Sequence, residues 1–365
     1  MAIHYVSLVD QWQSEKNELL PIIERVLEKG HFVNSTDVSQ FEEGVSKLCN
    51  VKYAVALNSG TDALMFALAC IGIRRGDEVI TAPNSFIATA ATIVHLGAKP
   101  IFVDVCDDQN INTELIENVI TEKTKAILPV HLTGRIANMN KIKNIGEKYN
   151  IPVIEDAAQA IGSKYHNKLS GSFGKVGCFS THPLKNLNSC GDGGFITTDD
   201  KHIYEKAELL RSHGLVSPGK SVQFGYVSRM DAIQAAILNY RLMKLDDVIS
   251  KRRVNAQFYF NNLNGNYIKI PVEKEQEFNT YHTFTIQIDK RDALSQHLKE
   301  NDIKTAVHYP IPIHLQPAAS KLGYKKGDFP VAEHQSDQIL SLPIHQYLTE
   351  TDLKLIVKTI NGFFD

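Results

Sequence analysis

The sequence predicts an α/β protein: a large domain with a mostly parallel sheet, followed by a smaller α+β C-terminal domain. Three observations lead to this prediction. The chain has 365 residues, enough for about two domains. Its 43% hydrophobic and 22% charged residues are typical of a globular protein. Residues 51–200 alternate short apolar, β-branched runs with helical segments, and this alternation ends after residue 200.

The apolar runs predict buried strands, which the intervening helices cover on both faces of the sheet. The strands are predicted at 53–59, 77–83, 99–105, 125–132 and 151–157. Helices are predicted at 13–30, 37–49 and 61–72. In such a sheet the ligand site lies in the loops at the carboxyl ends of the strands.

We predict that residues 1–240 form the large domain with the N-terminal helices, and 241–365 the small one. Residues 230–262 predict one long helix or two consecutive ones. A strand at 281–289 and a helix at 291–301 follow. No internal repeat or low-complexity tract interrupts this organisation.

Composition argues against several classes of partner. The net charge is −2, with no long basic or acidic block, so neither nucleic acid nor an anionic membrane surface is expected. The first residues lack the features of a signal peptide, and no apolar run is long enough to span a bilayer. Five cysteines without a C-x-x-C pair indicate reduced thiols. We therefore expect a cytoplasmic protein.

Motifs of other chemistries are missing from the sequence. It contains no P-loop pattern, and Gly171, Gly174 and Gly177 do not form G-x-G-x-x-G, which disfavours a dinucleotide-dependent dehydrogenase. The fourteen histidines include no H-E-x-x-H, so no metal site is expected.

Two segments follow predicted strands and carry polar groups suited to a ligand. Asn58-Ser59-Gly60-Thr61 opens a helix, and its free N–H groups suit a phosphate, although an ordinary helix cap explains it as well. Asp156 ends an apolar strand, where a carboxylate is costly without a partner such as a protonated pyridine nitrogen. Gln159 could reach the same ring. The alternative is that Asp156 caps the next helix.

A third segment, at 177–194, places Lys185 among small and hydroxyl-bearing residues with little other charge. Such surroundings favour an amine with a lowered pKa that can form an imine. The alternative is a solvated surface lysine.

Together these segments resemble the DegT/DnrJ/EryC1/StrS family, sugar aminotransferases with the aspartate-aminotransferase-like fold of pyridoxal-phosphate (PLP) enzymes. The resemblance covers nearly the whole chain in the family's order. It rests on NSGTDAL (58–64), PNSFIAT (83–89), IEDAAQAIGS (154–163), FSTHPLKNLNSCGDGGFITT (179–198), RMDAIQAAIL (229–238), HYPIPIHLQP (308–317) and LSLPIH (340–345).

The resemblance implies a role for each matching residue. Lys185 matches the lysine that carries the cofactor as a Schiff base, and Asp156 the carboxylate that keeps the pyridine nitrogen protonated; these are the predicted catalytic residues. The predicted cofactor contacts are Gly60, Thr61, Phe86, Asp156, Gln159, Ser180 and Lys185. The predicted substrate contacts are His308, Tyr309 and Arg229.

The resemblance also implies a reaction. An amino group would pass, from L-glutamate as the expected donor, to a nucleotide-linked keto sugar for a surface glycan or lipid A precursor. The segment LKNLNSCGDGG favours a 3-keto UDP- or dTDP-sugar over a 4-keto sugar. A homodimer with shared active sites is expected. A cofactor-binding regulator without turnover is the alternative of another class, whereas Lys185 argues against the family's dehydratases, which have His there.

The sequence departs from the family pattern near the site. Val227 stands where an Asn reaching the partner's phosphate is common, and Asn188 where Gly is common. Thr133 and Arg135 replace a frequent Tyr and Gln. These changes indicate either an unusual substrate or drift.

Overall fold

The computed structural model describes residues 2–270 and 272–364. The α-helices of this part of the chain are α1 (Leu8–Lys29), α2 (Thr36–Cys49), α3 (Gly60–Cys70), α4 (Ile87–His95), α5 (Met139–Tyr149), α6 (Lys201–Leu210), α7 (Ala232–Leu242), α8 (Leu245–Asn262), α9 (Arg291–Glu300), α10 (Pro330–Gln338) and α11 (Glu350–Asn361). Its strands are β1 (Tyr53–Leu57), β2 (Glu78–Thr81), β3 (Lys99–Phe102), β4 (Thr124–Ile127), β5 (Ile154–Asp156), β6 (Lys164–Tyr165), β7 (Lys168–Leu169), β8 (Val176–Ser180), β9 (Gly194–Thr198), β10 (Leu215–Ser217), β11 (Lys220–Ser221), β12 (Glu277–Phe278), β13 (Phe284–Gln287) and β14 (Ile339–Leu342).

Seven of these strands form the central sheet. Strands β3, β2 and β4 are parallel neighbours, and parallel bridges from Ile127 to Val153 and from Val130 to Asp156 join β4 to β5. Strand β8 pairs with β5 in parallel, and β9 then lies antiparallel between β8 and β1. The sheet is therefore mostly parallel, as predicted, with β9 as its antiparallel member.

Side chains alternate between the two faces of this sheet because successive residues of a strand point in opposite directions. In β1, Val55 and Leu57 join a core beneath α3 and α6, whereas Ala54 and Ala56 join a core beneath α2 and α7. A third cluster, on β2, β4 and α5, is capped by Ile313 and Phe329 from the C-terminal part. Both faces are thus covered, which explains the continuous apolar runs.

The C-terminal part has its own hydrophobic cluster. Residues of α8, α9, α11, β13 and β14 pack together there, and Ile3 joins them through a bridge to Ile303. The N-terminal segment therefore contacts the C-terminal core before α1 crosses to α7. The division of the chain into domains at residue 240 stays a prediction.

Most predicted elements are present, with shifted ends. Helix α1 begins at Leu8 rather than at residue 13, because the Ser7 side chain accepts a hydrogen bond from the Asp10 N–H and caps the helix. The segment 230–262 forms two helices, α7 and α8. The prediction for 281–289 began too early, because Tyr281 has a left-handed φ of 45° and the strand starts at Phe284.

Within the described residues, no helix is long and apolar enough to cross a membrane.

Gly177 lies where β8 packs closely against the 170–174 loop, so a substitution there tests this packing. A Cβ at this position would lie 2.4 Å from the Gly171 Cα and 2.5 Å from the Thr197 Oγ1. Since backbone atoms cannot move aside cheaply, Gly177→Ala should lower the free energy of unfolding by about 2 kcal/mol or more in urea denaturation. Gly265→Ala, whose Cβ would meet nothing within 4 Å, is the matched control and should change it by less than about 0.5 kcal/mol. Equal effects of the two substitutions would contradict this packing.

Candidate active site

The candidate site lies along one edge of the central sheet. Because β2, β4, β5, β8 and β1 run in one direction, their carboxyl ends meet there. Strand β9 runs the other way and begins at the same edge, with Gly194 paired to Leu57 and to Ser180. The loops that leave this edge carry most of the predicted site residues.

Asp156 is the last residue of β5 and is 3% exposed. Burial raises the pKa of its carboxyl. Two hydrogen bonds oppose that effect: the Thr89 hydroxyl donates to Oδ2 at 2.8 Å, and the Ala158 N–H donates to Oδ1 at 3.2 Å. The nearby Lys185 and His131 also lower the pKa of the carboxyl. The carboxylate is therefore buried and held by hydrogen bonds from α4 and from the backbone that follows β5.

The neighbouring Glu155 points to the other side and fixes the strand. Its carboxylate is fully buried and accepts hydrogen bonds from the N–H groups of Gly171, Phe173 and Gly174 at 2.7–2.8 Å. His131 lies 2.9 Å from the same carboxylate. These contacts hold β5 against the loop that precedes β8. They therefore fix the position of Asp156 from the opposite side of the strand.

Lys185 lies in the loop between β8 and β9. This loop is closed by backbone hydrogen bonds from Thr181 N to Gly193 O and from Ser189 N to Thr181 O, and Lys185 N donates to His182 O. Burial lowers the pKa of the Lys185 amine to about 8, and the nearby Asp156 carboxylate partly offsets this effect. Lys185 is thus not the solvated surface lysine of the alternative interpretation.

The N-terminus of α3 forms an anion cradle beside this loop. Ser59 caps the helix by accepting from the Asp62 N–H, and Gly60 and the exposed Thr61 form the first turn. A Cβ on Gly60 would lie 2.6 Å from the Cβ of Ser180, so only glycine lets the two segments approach. The free N–H groups and helix dipole suit a phosphate, with Ser180 as a neighbouring hydroxyl.

Phe86, Gln159 and Tyr309 form the side of the site nearest Asp156. The Gln159 Oε1 accepts from the Thr133 N–H at 2.8 Å, and its amide nitrogen lies 3.5 Å from the Tyr309 hydroxyl. The Tyr309 ring contacts that of Phe86, whose side chain is 54% exposed at the start of α4. The exposed ring of Phe86 is available for stacking on a planar ligand.

His308 and Arg229, two of the predicted substrate contacts, lie in different surroundings. Burial and the charge of Lys185 lower the pKa of His308 to about 4, and its Nδ1 lies 3.1 Å from the Ser341 hydroxyl. Arg229 lines a surface groove bordered by residues 34–39 and 204–218. The structure thus places His308 near Lys185, while the role of Arg229 stays a prediction.

Most of the residues that depart from the family pattern make hydrogen bonds within the structure. Asn188 exchanges hydrogen bonds with Gln11 of α1 and donates to Pro183 O, which ties α1 to the lysine loop. Arg135 pairs with Glu277 at 3.4 Å and donates to Val272 O. Thr133 contributes its N–H to Gln159. Val227 is 52% exposed.

Two residues of the site, Thr89 and His282, are not among those predicted from the sequence. Thr89, which bonds to Asp156, lies in the quoted segment PNSFIAT, one helical turn after Phe86, so its position on α4 was a usable signal. His282 lies 3.5 Å from the Lys185 amine and is distant in sequence from every motif. Nothing in the sequence signalled it.

The described residues fit PLP. The cradle of Gly60, Thr61 and Ser180 would hold the phosphate, Phe86 would cover one ring face, and Asp156 would meet the ring nitrogen. Lys185 provides the amine that such an aldehyde needs. Fold and site therefore define the class of PLP-dependent enzymes.

The comparisons identify the family within this class. Residues 13–361 match the DegT/DnrJ/EryC1/StrS aminotransferase family, and the chain belongs to it. The predicted fold class is confirmed by the crystal structure of S. venezuelae DesV in complex with a ketimine intermediate, which is 34% identical with a TM-score of 0.97 and matches 99% of this chain and 98% of its own. The family uses PLP, and solved structures of similar chains carry it in the pyridoxal or pyridoxamine form.

Two curated relatives match over their full length. The UDP-2-acetamido-2-deoxy-3-oxo-D-glucuronate aminotransferase of Pseudomonas aeruginosa is 36% identical over 99% of this chain and 100% of its own. The pleiotropic regulatory protein of Geobacillus stearothermophilus is 39% identical over 100% of this chain and 99% of its own. One is named as an enzyme and the other as a regulator.

The lowered pKa of Lys185 predicts how the apoprotein captures its cofactor. Only the neutral amine attacks an aldehyde, and with a pKa of about 8 this form grows as the pH rises through 8. The rate of covalent PLP capture, followed by absorbance, should therefore rise with a midpoint near pH 8. A Lys185→Ala apoprotein is the control for other lysines. A midpoint near the ordinary lysine value of about 10.4 would contradict the burial of this amine.

Proposed function

We propose that the chain transfers an amino group from an amino acid, with L-glutamate as donor, to a nucleotide-linked 3-keto sugar. The observation that carries the proposal is the pairing of a buried carboxylate, Asp156, with an amine of lowered pKa, Lys185, at one edge of the sheet. The name of the P. aeruginosa relative, a 3-oxo sugar nucleotide aminotransferase, supports the 3-keto substrate. A 4-keto sugar is the alternative within the same reaction.

Each residue has a defined task in this reaction. When bound, the cofactor supplies a conjugated, electron-accepting ring next to the carbon that takes the amino group. Asp156 keeps a proton on the ring nitrogen, and Thr89 and Ala158 keep Asp156 in place. The neutral Lys185 amine would remove the proton from the α-carbon of the donor, and its ammonium form would deliver that proton to the cofactor carbon that takes the amino group. The anion cradle would hold the cofactor in position between these groups.

The wider context belongs to the same proposal. The product would be an amino sugar for a surface glycan or lipid A precursor, made in the cytoplasm. His308 and Tyr309, at the C-terminal side of the site, are the proposed sugar contacts, since Tyr309 reaches Gln159 and His308 lies close to Lys185. Arg229 is the proposed contact for the nucleotide diphosphate, because its groove is outside the cofactor pocket.

The direct test uses enzyme loaded with pyridoxamine phosphate. Addition of a 3-keto UDP- or dTDP-sugar should return the aldehyde form of the cofactor rapidly, as followed by absorbance, because only a carbonyl carbon within reach of the amine can react. The matched 4-keto sugar should react slowly. Rapid return with the 4-keto sugar alone would overturn the 3-keto assignment, and no return with either would overturn the proposed substrate class.

A regulator is a second candidate, because the G. stearothermophilus relative carries that name. The site favours turnover, since a protein that only senses the cofactor has no need for a carboxylate held at the ring nitrogen by Thr89. Exchange of the amino group of L-glutamate would distinguish the two: a regulator would bind the cofactor without exchange.

Asp156→Asn should reduce amino transfer roughly 10²–10³-fold or more, because a neutral amide cannot hold the proton on the ring nitrogen. Thr89→Val keeps the carboxylate but removes one hydrogen bond to it. The amino-transfer activity of this variant should therefore fall less, by about tenfold. Both variants should keep the wild-type circular dichroism. Near-normal turnover of Asp156→Asn would mean that the carboxylate only caps the following segment.

We further propose that the chain acts as a homodimer with shared active sites. Apolar side chains are exposed on and around the β10–β11 hairpin, and such a patch is characteristic of an interface. They are Leu215, Val216, Val222, Phe224, Tyr226 and Val227. Val227, where the family has an Asn, would give the partner's phosphate one contact fewer.

Phe224→Glu should shift the protein toward monomer in analytical ultracentrifugation and reduce transfer activity, because Phe224 is fully exposed within this patch and a charge there opposes association. Leu355→Glu, which adds the same charge at an exposed site on α11, is the control and should leave the mass unchanged. A Phe224→Glu protein with the mass and activity of wild type would exclude this surface from the dimer.

A further inference from the structure

His282 is the residue near the catalytic amine to which neither the motifs nor the proposed reaction assign a task. Its Nε2 lies 3.5 Å from the Lys185 Nζ, at the long end of hydrogen-bonding distance. Its Nδ1 is buried and makes no hydrogen bond within the described part of the chain. The contact with Lys185 is therefore the polar interaction that orients the imidazole ring.

The backbone around His282 is held firmly on two sides. The Arg252 guanidinium, from α8, donates to the carbonyls of Tyr281 and His282 at 3.1 and 3.2 Å. On the other side, the Asn186 side chain, which follows Lys185 directly, donates to the Thr280 carbonyl at 2.9 Å. Since the lysine loop and the 280–282 segment are linked in this way, His282 keeps its position relative to Lys185.

Burial and the neighbouring groups together keep His282 neutral. Burial is the main cause that lowers its pKa well below the ordinary range, and Lys185, Arg252, His308 and His182 lower it further. The imidazole is therefore neutral at neutral pH. Lys185, with a pKa of about 8, is mostly an ammonium at that pH and has only protons to donate. The Nε2 atom must then be the acceptor, and the ring proton lies on Nδ1.

We infer that His282 is a positioning residue whose Nε2 accepts a hydrogen bond from Lys185 and so orients the amine for proton transfer. No net proton passes to His282, because the imidazole is buried and lies close to the positive charges of Lys185 and Arg252. One N–H of Lys185 stays bound to Nε2, and the remaining positions on the nitrogen face the reacting carbon. This inference rests on the proposed function only in that Lys185 carries the proton.

Two substitutions of His282 distinguish the role of a hydrogen-bond acceptor from the role of a side chain that only fills space. His282→Gln keeps an acceptor oxygen near the Nε2 position, whereas His282→Leu keeps volume but removes the acceptor. An acceptor stabilises the ammonium more than the amine. In His282→Leu the pH midpoint for covalent PLP capture by the apoprotein should therefore fall by about one unit, and His282→Gln should restore it.

The rate of the half-reaction with L-glutamate supplies a second measurement. In His282→Leu it should fall about ten- to a hundredfold with little change in KM, while His282→Gln should stay within about threefold of wild type. An unmoved midpoint in His282→Leu would overturn the inference. So would a His282→Gln protein as impaired as His282→Leu, since that pattern indicates proton uptake or packing. A wild type that captures the cofactor but never transfers an amino group would instead overturn the proposed function, and the midpoints would still test His282.

A measurement on the wild type does not depend on the folding of any variant. In ¹⁵N-histidine-labelled apoprotein, the resonance missing from His282→Gln identifies His282. We expect a neutral ring with an unprotonated Nε2 throughout pH 6–8. A proton on Nε2 or an imidazolium at pH 7 would overturn the inference.

Discussion

The burial of one carboxylate, that of Asp156, is the constraint on which this structure depends. Asp156 ends an apolar strand inside the sheet, and burial alone would favour its neutral form. The Thr89 hydroxyl, the Ala158 N–H and the charge of Lys185 all favour the anion. Each comes from a different segment, so the carboxylate can be placed only when α4, β5 and the lysine loop have packed together.

At Lys185 burial shifts the pKa in the opposite direction, and the same loops surround the amine. Burial brings the pKa of this amine to about 8, and the Asp156 carboxylate keeps the pKa from falling further. The two groups therefore affect each other: the carboxylate raises the pKa of the amine, and the positive charge of Lys185 lowers the pKa of the carboxyl. Glu155 and Asn188, which lie behind the site, fix the two segments that carry the pair.

The sequence predicted the first five strands of the sheet because each is a short, apolar, β-branched run. It did not predict β8 and β9 as strands, because small and hydroxyl-bearing residues interrupt the apolar pattern in VGCFS and GFITT. For Lys185 and Asp156 the local sequence left a surface lysine and a helix cap as alternatives. Their roles are implied by the resemblance to the family and stay predictions. His282 was not predicted, since its approach to Lys185 depends on Arg252 and Asn186, far away in the chain.

The covalent partner of the cofactor is the most direct test of this account. Wild-type protein loaded with PLP, reduced with borohydride and digested should give one modified peptide, with the added mass on Lys185, because this amine combines burial, a lowered pKa and a carboxylate across the site. Lys185→Ala should give no modified peptide and no visible absorbance of bound cofactor. A label on any other lysine would contradict the account, since the anion cradle, the buried carboxylate and the amine would then not serve one ligand.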